Sequence, residues 1–120
     1  MCLMEEIGKP LETQGIGYKV LLRRGGKYFS PVFQCEWPGG EWLTSNEEGF
    51  HIYENLKDVY RLRDWLIKGV SHDSFSNQIQ VVICQVEYKE AHTWGYGDGG
   101  WNGKAMVVIA SKARLIEEVE

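Results

Sequence analysis

Between residues 79 and 88 the chain sets Val82, Cys84, Val86 and Tyr88 on one face of an extended segment and Ile79, Val81 and Ile83 on the other. A strand that is apolar on both faces loses free energy wherever either face meets water, so this one belongs at the centre of a sheet. Residues 105–110 (Ala-Met-Val-Val-Ile-Ala) repeat the pattern, and 113–116 offer a continuation. The glycine-dense segment 95–103 interrupts these runs, and the natural pairing is a long hairpin with that segment as its mobile tip. The rest of the chain must be arranged around that sheet.

Tyr18, Val20 and Leu22 alternate with Lys19 and Leu21, which predicts a strand, and Arg24-Gly25-Gly26-Lys27 supplies the positive-φ residues of a tight hairpin. Tyr28, Phe29 and Val32 then form its partner, which Pro31 confines to an edge. Residues 36–49 are irregular around Trp37-Pro38-Gly39-Gly40, with Trp42 just beyond. Residues 49–53 (Gly-Phe-His-Ile-Tyr) read as a short strand leading to Asn55, a good N-cap. Leu56, Val59, Tyr60, Leu62, Leu66 and Ile67 recur at helical spacing, so a helix is expected over 56–68, with Gly69 at C′ and a loop over 71–77. Pro10, Gly15 and Gly17 set an N-terminal arm apart from the first strand. The expected fold is α+β: a single two-layer domain over 1–120, a mostly antiparallel sheet with one amphipathic helix packed on it. Its expected core includes Val20, Leu56, Val59, Leu62, Leu66, Val82, Cys84, Val86, Val107 and Ile109.

At 120 residues, 43% hydrophobic and 25% charged, the chain can bury such a core and has no room for a second domain. Its formal charge of −4 lacks the basic excess that phosphate-backbone binding requires, which disfavours direct nucleic-acid binding. Cys2, Cys35 and Cys84 form no CxxC pair and are odd in number, pointing to a reducing, cytoplasmic setting rather than a disulfide framework. Residues 1–11 hold Glu5 and Glu6 and no continuous apolar run, so neither a secretory signal nor a membrane span is expected.

Several short motifs occur in a fixed order: Met1-Cys2-Leu3, Gly17-Tyr18-Lys19-Val20-Leu21, Gly26-Lys27-Tyr28-Phe29-Ser30-Pro31, Gly49-Phe50-His51, and a closing Val-Ile-Ala-Ser-Lys strand at 108–112. In this order the chain resembles a family of short uncharacterised proteins from bacteriophages and gut bacteria. That family shares a YKVL strand, a Ser-Pro step, a GFH tripeptide before a helix and a closing strand. The resemblance brings no activity with it. It implies mobile-element biology, in which small acidic proteins often inhibit host defences by binding. Residues 95–103 and their flanking tryptophans lie outside it.

Residues 92–104 contain five glycines, which permit positive φ and close ligand approach. A phosphate loop is nevertheless excluded: Asp98 stands where the first glycine is needed, Ala105 where Ser or Thr is needed, and a strand follows instead of a helix. Four of the five tryptophans, Trp37, Trp42, Trp94 and Trp101, fall in the two glycine-rich segments, with Tyr96 among them. Trp and Tyr dominate binding hot spots, so these rings are candidates for a joint binding face; the alternative is that they fold back over the sheet ends. Arg63 falls within the apolar stripe of the helix, where it would pair with Glu87, meet a bound anion, or snorkel to water. His51 and His92 stand in no metal-ligand spacing, no GxSxG occurs, and no metal or cofactor is implied. Cys2 would become an N-terminal nucleophile if Met1 were removed, or it packs as a small hydrophobe.

Three function classes follow. The first is a non-enzymatic binding protein, an inhibitor of a host protein that acts through the loop aromatics and an acidic surface. The second is a small-ligand or nucleotide-sequestering module, with Trp94 and Trp101 stacking on a ring and Arg63 or Lys104 meeting an anion. The third is a small enzyme around His51, Glu87 and His92. The binding residues expected are Trp37, Trp42, Arg63, His92, Trp94, Tyr96, Trp101 and Lys104, with no catalytic or metal residue assigned. A protein partner leads, a small anionic ligand or self-association follows, and no membrane is involved.

Overall fold

The two doubly apolar runs form the spine of the sheet in a computed structural model that describes residues 5–30, 35–45, 49–70, 79–101 and 103–119. Cys2, Pro31, Val32, His72 and the loop 71–77 lie outside the described residues. In chain order the elements are β1 (Glu5–Gly8), β2 (Gly15–Arg24), β3 (Lys27–Phe29), β4 (Leu43–Thr44), β5 (Phe50–Tyr53), α1 (Leu56–Val70), β6 (Gln80–Asp98) and β7 (Lys104–Glu118). One antiparallel sheet and one helix make up an α+β domain.

β6 is the longest strand because it serves partners on both sides: β2 and β1 line one edge, and β7 lines the other. Strand β7 also pairs with β5, and β5 returns to β2 through Tyr18 opposite Tyr53. The pairings β2–β6–β7–β5–β2 thus close a circuit, so the sheet curls and its two faces bury separate apolar clusters. Val20, Tyr53, Ile83, Ala105 and Val107 meet Val59 and Leu62 of α1. The opposite face gathers Leu21, Ile52, Val82, Cys84, Val86, Tyr88, Val108 and Leu115 around Trp37. Alternation along each strand sends neighbouring residues to different clusters, which is why the spine is apolar on both sides. Every residue of the expected core is buried or packed against one of the two clusters, Leu56 and Leu66 being the partly buried ones.

The hairpin between β2 and β3 turns on Gly25 and Gly26 with φ of 59° and 79°, the primed geometry that matches strand twist. Three expectations are corrected. Residues 95–103 do not interrupt the hairpin, since β6 continues to Asp98 and only a short turn precedes β7. The N-terminal arm is not apart from the sheet, because β1 pairs with β6 from Glu5 opposite Tyr96 to Gly8 opposite Trp94. The helix does not stop before Gly69; it runs to Val70.

The first correction has a steric cause. A Cβ on Gly95 would collide with the Glu5 carbonyl oxygen, and one on Gly97 would lie 2.8 Å from a Val107 methyl. These glycines serve close strand approach rather than mobility. Farther down, the β6–β7 register shifts between Ala91 and Thr93, and Glu90 there takes a φ of 58°. β6 bends at this bulge, helping the sheet to curl.

Candidate functional site

Helix α1 presents Arg61, Trp65 and Lys68 at i, i+4 and i+7, one side of a helix, toward the turn between β6 and β7. Arg61 fastens that turn: its Nε donates to the Gly99 carbonyl at 2.8 Å and its Nη2 to the Lys104 carbonyl at 3.0 Å. Asp58 lies 3.6 Å from the same guanidinium. Within the turn, Gly99 donates to the Gly103 carbonyl, Gly103 to the Gly100 carbonyl, and Gly100 to the Asp98 carboxylate. The Tyr53 hydroxyl donates to the Asp98 carbonyl at 2.9 Å, and burial pushes that phenol's pKa up. Every polar group named here is anchored, so this is a clamped turn rather than a mobile tip.

The glycines make that clamp possible. A Cβ on Gly99 or Gly103 would run into the Arg61 guanidinium, and one on Gly100 would lie 2.9 Å from the Trp65 Cβ. The next residue, Trp101, is held at a φ of 45°, a left-handed conformation that costs a non-glycine residue about 1–2 kcal/mol. The residue is 50% exposed, with the Lys68 ammonium 5.2 Å from the ring centre. Trp65, backed against Gly100, is itself 37% exposed. Two tryptophans therefore reach water at one junction of helix and turn, on a rigid footing.

The expected joint face of loop tryptophans does not form. Trp37 is 2% exposed, sits edge-on to Phe50 at 5.1 Å and donates from Nε1 to Ser30 Oγ at 2.8 Å. Trp94 is partly buried against the same interior cluster. The curled sheet needs a large apolar filler, and these rings supply it. Trp42 lies over the outer face of β6 and β7, with Lys89 Nζ at 4.2 Å and the Arg114 guanidinium at 5.0 Å from its ring centre. Tyr96 and Lys104 are brought together at 5.8 Å, and the Lys104 ammonium also reaches Glu5 at 3.4 Å. His92 is exposed at the bulge with Nδ1 2.9 Å from Thr93 Oγ1.

Arg63 does not meet Glu87. Its guanidinium lies 5.1 Å from the Tyr60 ring centre with Nε 3.8 Å from Asp64, while Glu87 accepts from Arg114 Nε at 2.8 Å across the β6–β7 pair. Among the described residues no three His, Cys, Asp or Glu side chains cluster as metal ligands. No helix among them is long and apolar enough to cross a membrane. Trp65 is not among the binding residues expected from the sequence; its signal there is a large ring flanked at i−4 and i+3 by Arg61 and Lys68, outside the stripe of Val59, Leu62 and Leu66. Comparison with protein-family models, with curated proteins and with solved structures yielded no match.

Proposed function

We propose that this chain is a non-enzymatic binding protein that engages a protein partner through the Trp65–Trp101 junction. The observation that carries this reading is Trp101: a half-exposed residue on strained backbone, in a turn where Gly99, Gly100, Gly103 and the Asp98 carboxylate hydrogen-bond one another and Arg61 holds the Gly99 carbonyl. An aromatic anchor held rigid before binding loses little entropy on association, the property of interface hot spots. Lys68, whose ammonium stands over the Trp101 ring, and Arg61 beneath the turn give the junction a polar rim.

The biological role we infer, from the sequence resemblance and the formal charge of −4, is inhibition of a host defence protein by a mobile-element product in the cytoplasm. Cys84 is a buried thiol outside any disulfide, in keeping with a reducing compartment. The small-ligand alternative draws less support, because Trp94 packs on the core, Lys104 reaches Glu5 and Arg63 stacks on Tyr60. The enzyme alternative would need Glu87, whose carboxylate is engaged by Arg114.

The test is capture from a bacterial lysate by the wild-type chain and by Trp101→Ala, with melting temperatures of both. A partner held by wild type and lost by a variant of unchanged stability supports the reading. Equal capture by both chains overturns it.

A further inference from the structure

Charge is spread unevenly over the molecule. Helix α1 holds Lys57, Arg61, Arg63 and Lys68 against Asp58 and Asp64, a formal +2 in a chain whose total is −4, so the remainder carries −6. Lys57, Arg61, Trp65 and Lys68 follow at i, i+4, i+8 and i+11, which brings them to one side of the helix at about 100° per residue. That side lies away from Val59, Leu62 and Leu66, which pack toward the sheet. Both carboxylates of the helix have a cation beside them, Asp58 at 3.6 Å from Arg61 and Asp64 at 3.8 Å from Arg63. Lys57 is exposed and meets no carboxylate within ion-pair distance among the described residues. Lys68 is exposed too, its ammonium over the Trp101 ring. The excess positive charge of the helix therefore lies along the side that carries Trp65 and meets Trp101.

We propose that the partner at the Trp65–Trp101 junction is a protein that presents an acidic segment carrying one large apolar side chain. This rests on the junction being the binding face and adds the chemistry that fits it. The apolar side chain covers the exposed surfaces of Trp65 and Trp101, where area removed from water supplies the affinity. The carboxylates face Lys57 and Lys68, and rim charges of opposite sign fix register and speed encounter more than they tighten the complex. Elsewhere the chain repels an acidic partner, so the surplus on α1 also orients the approach. A basic partner meets the reverse, attraction over the remainder and like charge at the junction. A nucleic acid fits less well, since a phosphate backbone engages a run of cations along its length and the chain beyond α1 is net acidic.

The experiment selects binders of the folded wild-type chain from a displayed library of short random peptides, then measures each synthesised peptide by fluorescence anisotropy. Enriched peptides should combine several Asp or Glu with a Trp, Phe or Leu. Their affinity should fall about tenfold or more in Trp101→Ala, a hot-spot truncation. The double variant Lys57→Glu, Lys68→Glu should weaken them about tenfold, and added salt should remove most of that difference. The pair Lys57→Gln, Lys68→Gln replaces it if the reversal lowers the melting temperature. Enriched peptides that are neutral or basic, or acidic ones indifferent to the charge reversal, overturn the proposal; their loss in Trp101→Ala leaves the junction reading standing. Acidic peptides held equally by Trp101→Ala overturn the junction reading and this proposal with it. Tighter binding of oligothymidylate than of any peptide, a dimer in gel filtration that Trp101→Ala dissolves, or a library without binders also overturns the proposal.

Discussion

Trp37 and Trp101 stand in nearly the same local text, each beside paired glycines in a turn, and they end in opposite environments. Trp37 is 2% exposed and Trp101 50%. The difference lies in what the sheet offers beneath each turn. At Trp37 the closed circuit of β2, β6, β7 and β5 encloses an apolar interior that only a large ring fills, and Ser30 accepts the indole proton. At Trp101 the ground beneath is the Arg61 clamp, which is polar and leaves the ring nowhere apolar to go. A tryptophan in a glycine-rich turn is therefore a filler or an anchor according to its support, not its neighbours in sequence.

The sharpest way to break this contrast is to truncate both rings. Trp37→Ala should cost ~3–5 kcal/mol as a buried aromatic truncation, and Trp101→Ala about 0.5 kcal/mol or less, measured by urea denaturation. Equal losses would mean that both rings serve the fold. On the helix-covered face, Leu62→Ala should cost ~2–5 kcal/mol, since Leu62 is fully buried against Val20 and Ile83. A loss under about 0.5 kcal/mol would show that α1 does not pack there.

Lys19 sharpens the interior side of the comparison. Its pKa falls from 10.5 to about 8 on folding, so between those values the unfolded chain binds more protons than the native one. Stability contributed by this group is lowest below pH 8 and rises with pH through that window. Lys19→Met removes a half-buried cation and should stabilise the protein by ~1 kcal/mol at pH 7, a margin that shrinks toward pH ~10. Cys84 and the buried tyrosines act in the opposite direction above pH ~9, but both chains share them, so the difference isolates Lys19. A margin that stays constant across pH 7 to 10 would contradict the account.

The smallest effect concerns the anchor. Because Trp101 sits at a φ of 45°, Trp101→Gly should be more stable than Trp101→Ala by about 1 kcal/mol, glycine alone being unstrained there. Identical stabilities in matched thermal melts would mean that the turn relaxes when the ring is removed.

Periodicity made much of the sheet legible. The doubly apolar runs, the Gly25-Gly26 hairpin and the helical stripe from Leu56 to Leu66 are local patterns, and β2, β6, β7 and α1 contain them. β1 escaped notice because Glu5-Glu6-Ile7-Gly8 has no alternating apolar face; its place is secured by backbone pairing to β6 and by the missing side chain of Gly95. The glycine-dense stretch misled for the same reason. Glycine signals both turn and close approach, and only the partner strand distinguishes them.

The site divides in the same way. Residue types alone marked Trp101 as a candidate anchor, and the spacing of Leu56, Val59, Leu62 and Leu66 marked the helix and its buried stripe, because helical geometry is local. Tertiary structure decided the rest: that this side meets the β6–β7 turn, that Trp37 and Trp94 go inward, and that Glu87 belongs to Arg114. These are contacts between residues tens of positions apart, set by closure of the sheet, and no short window of sequence contains them.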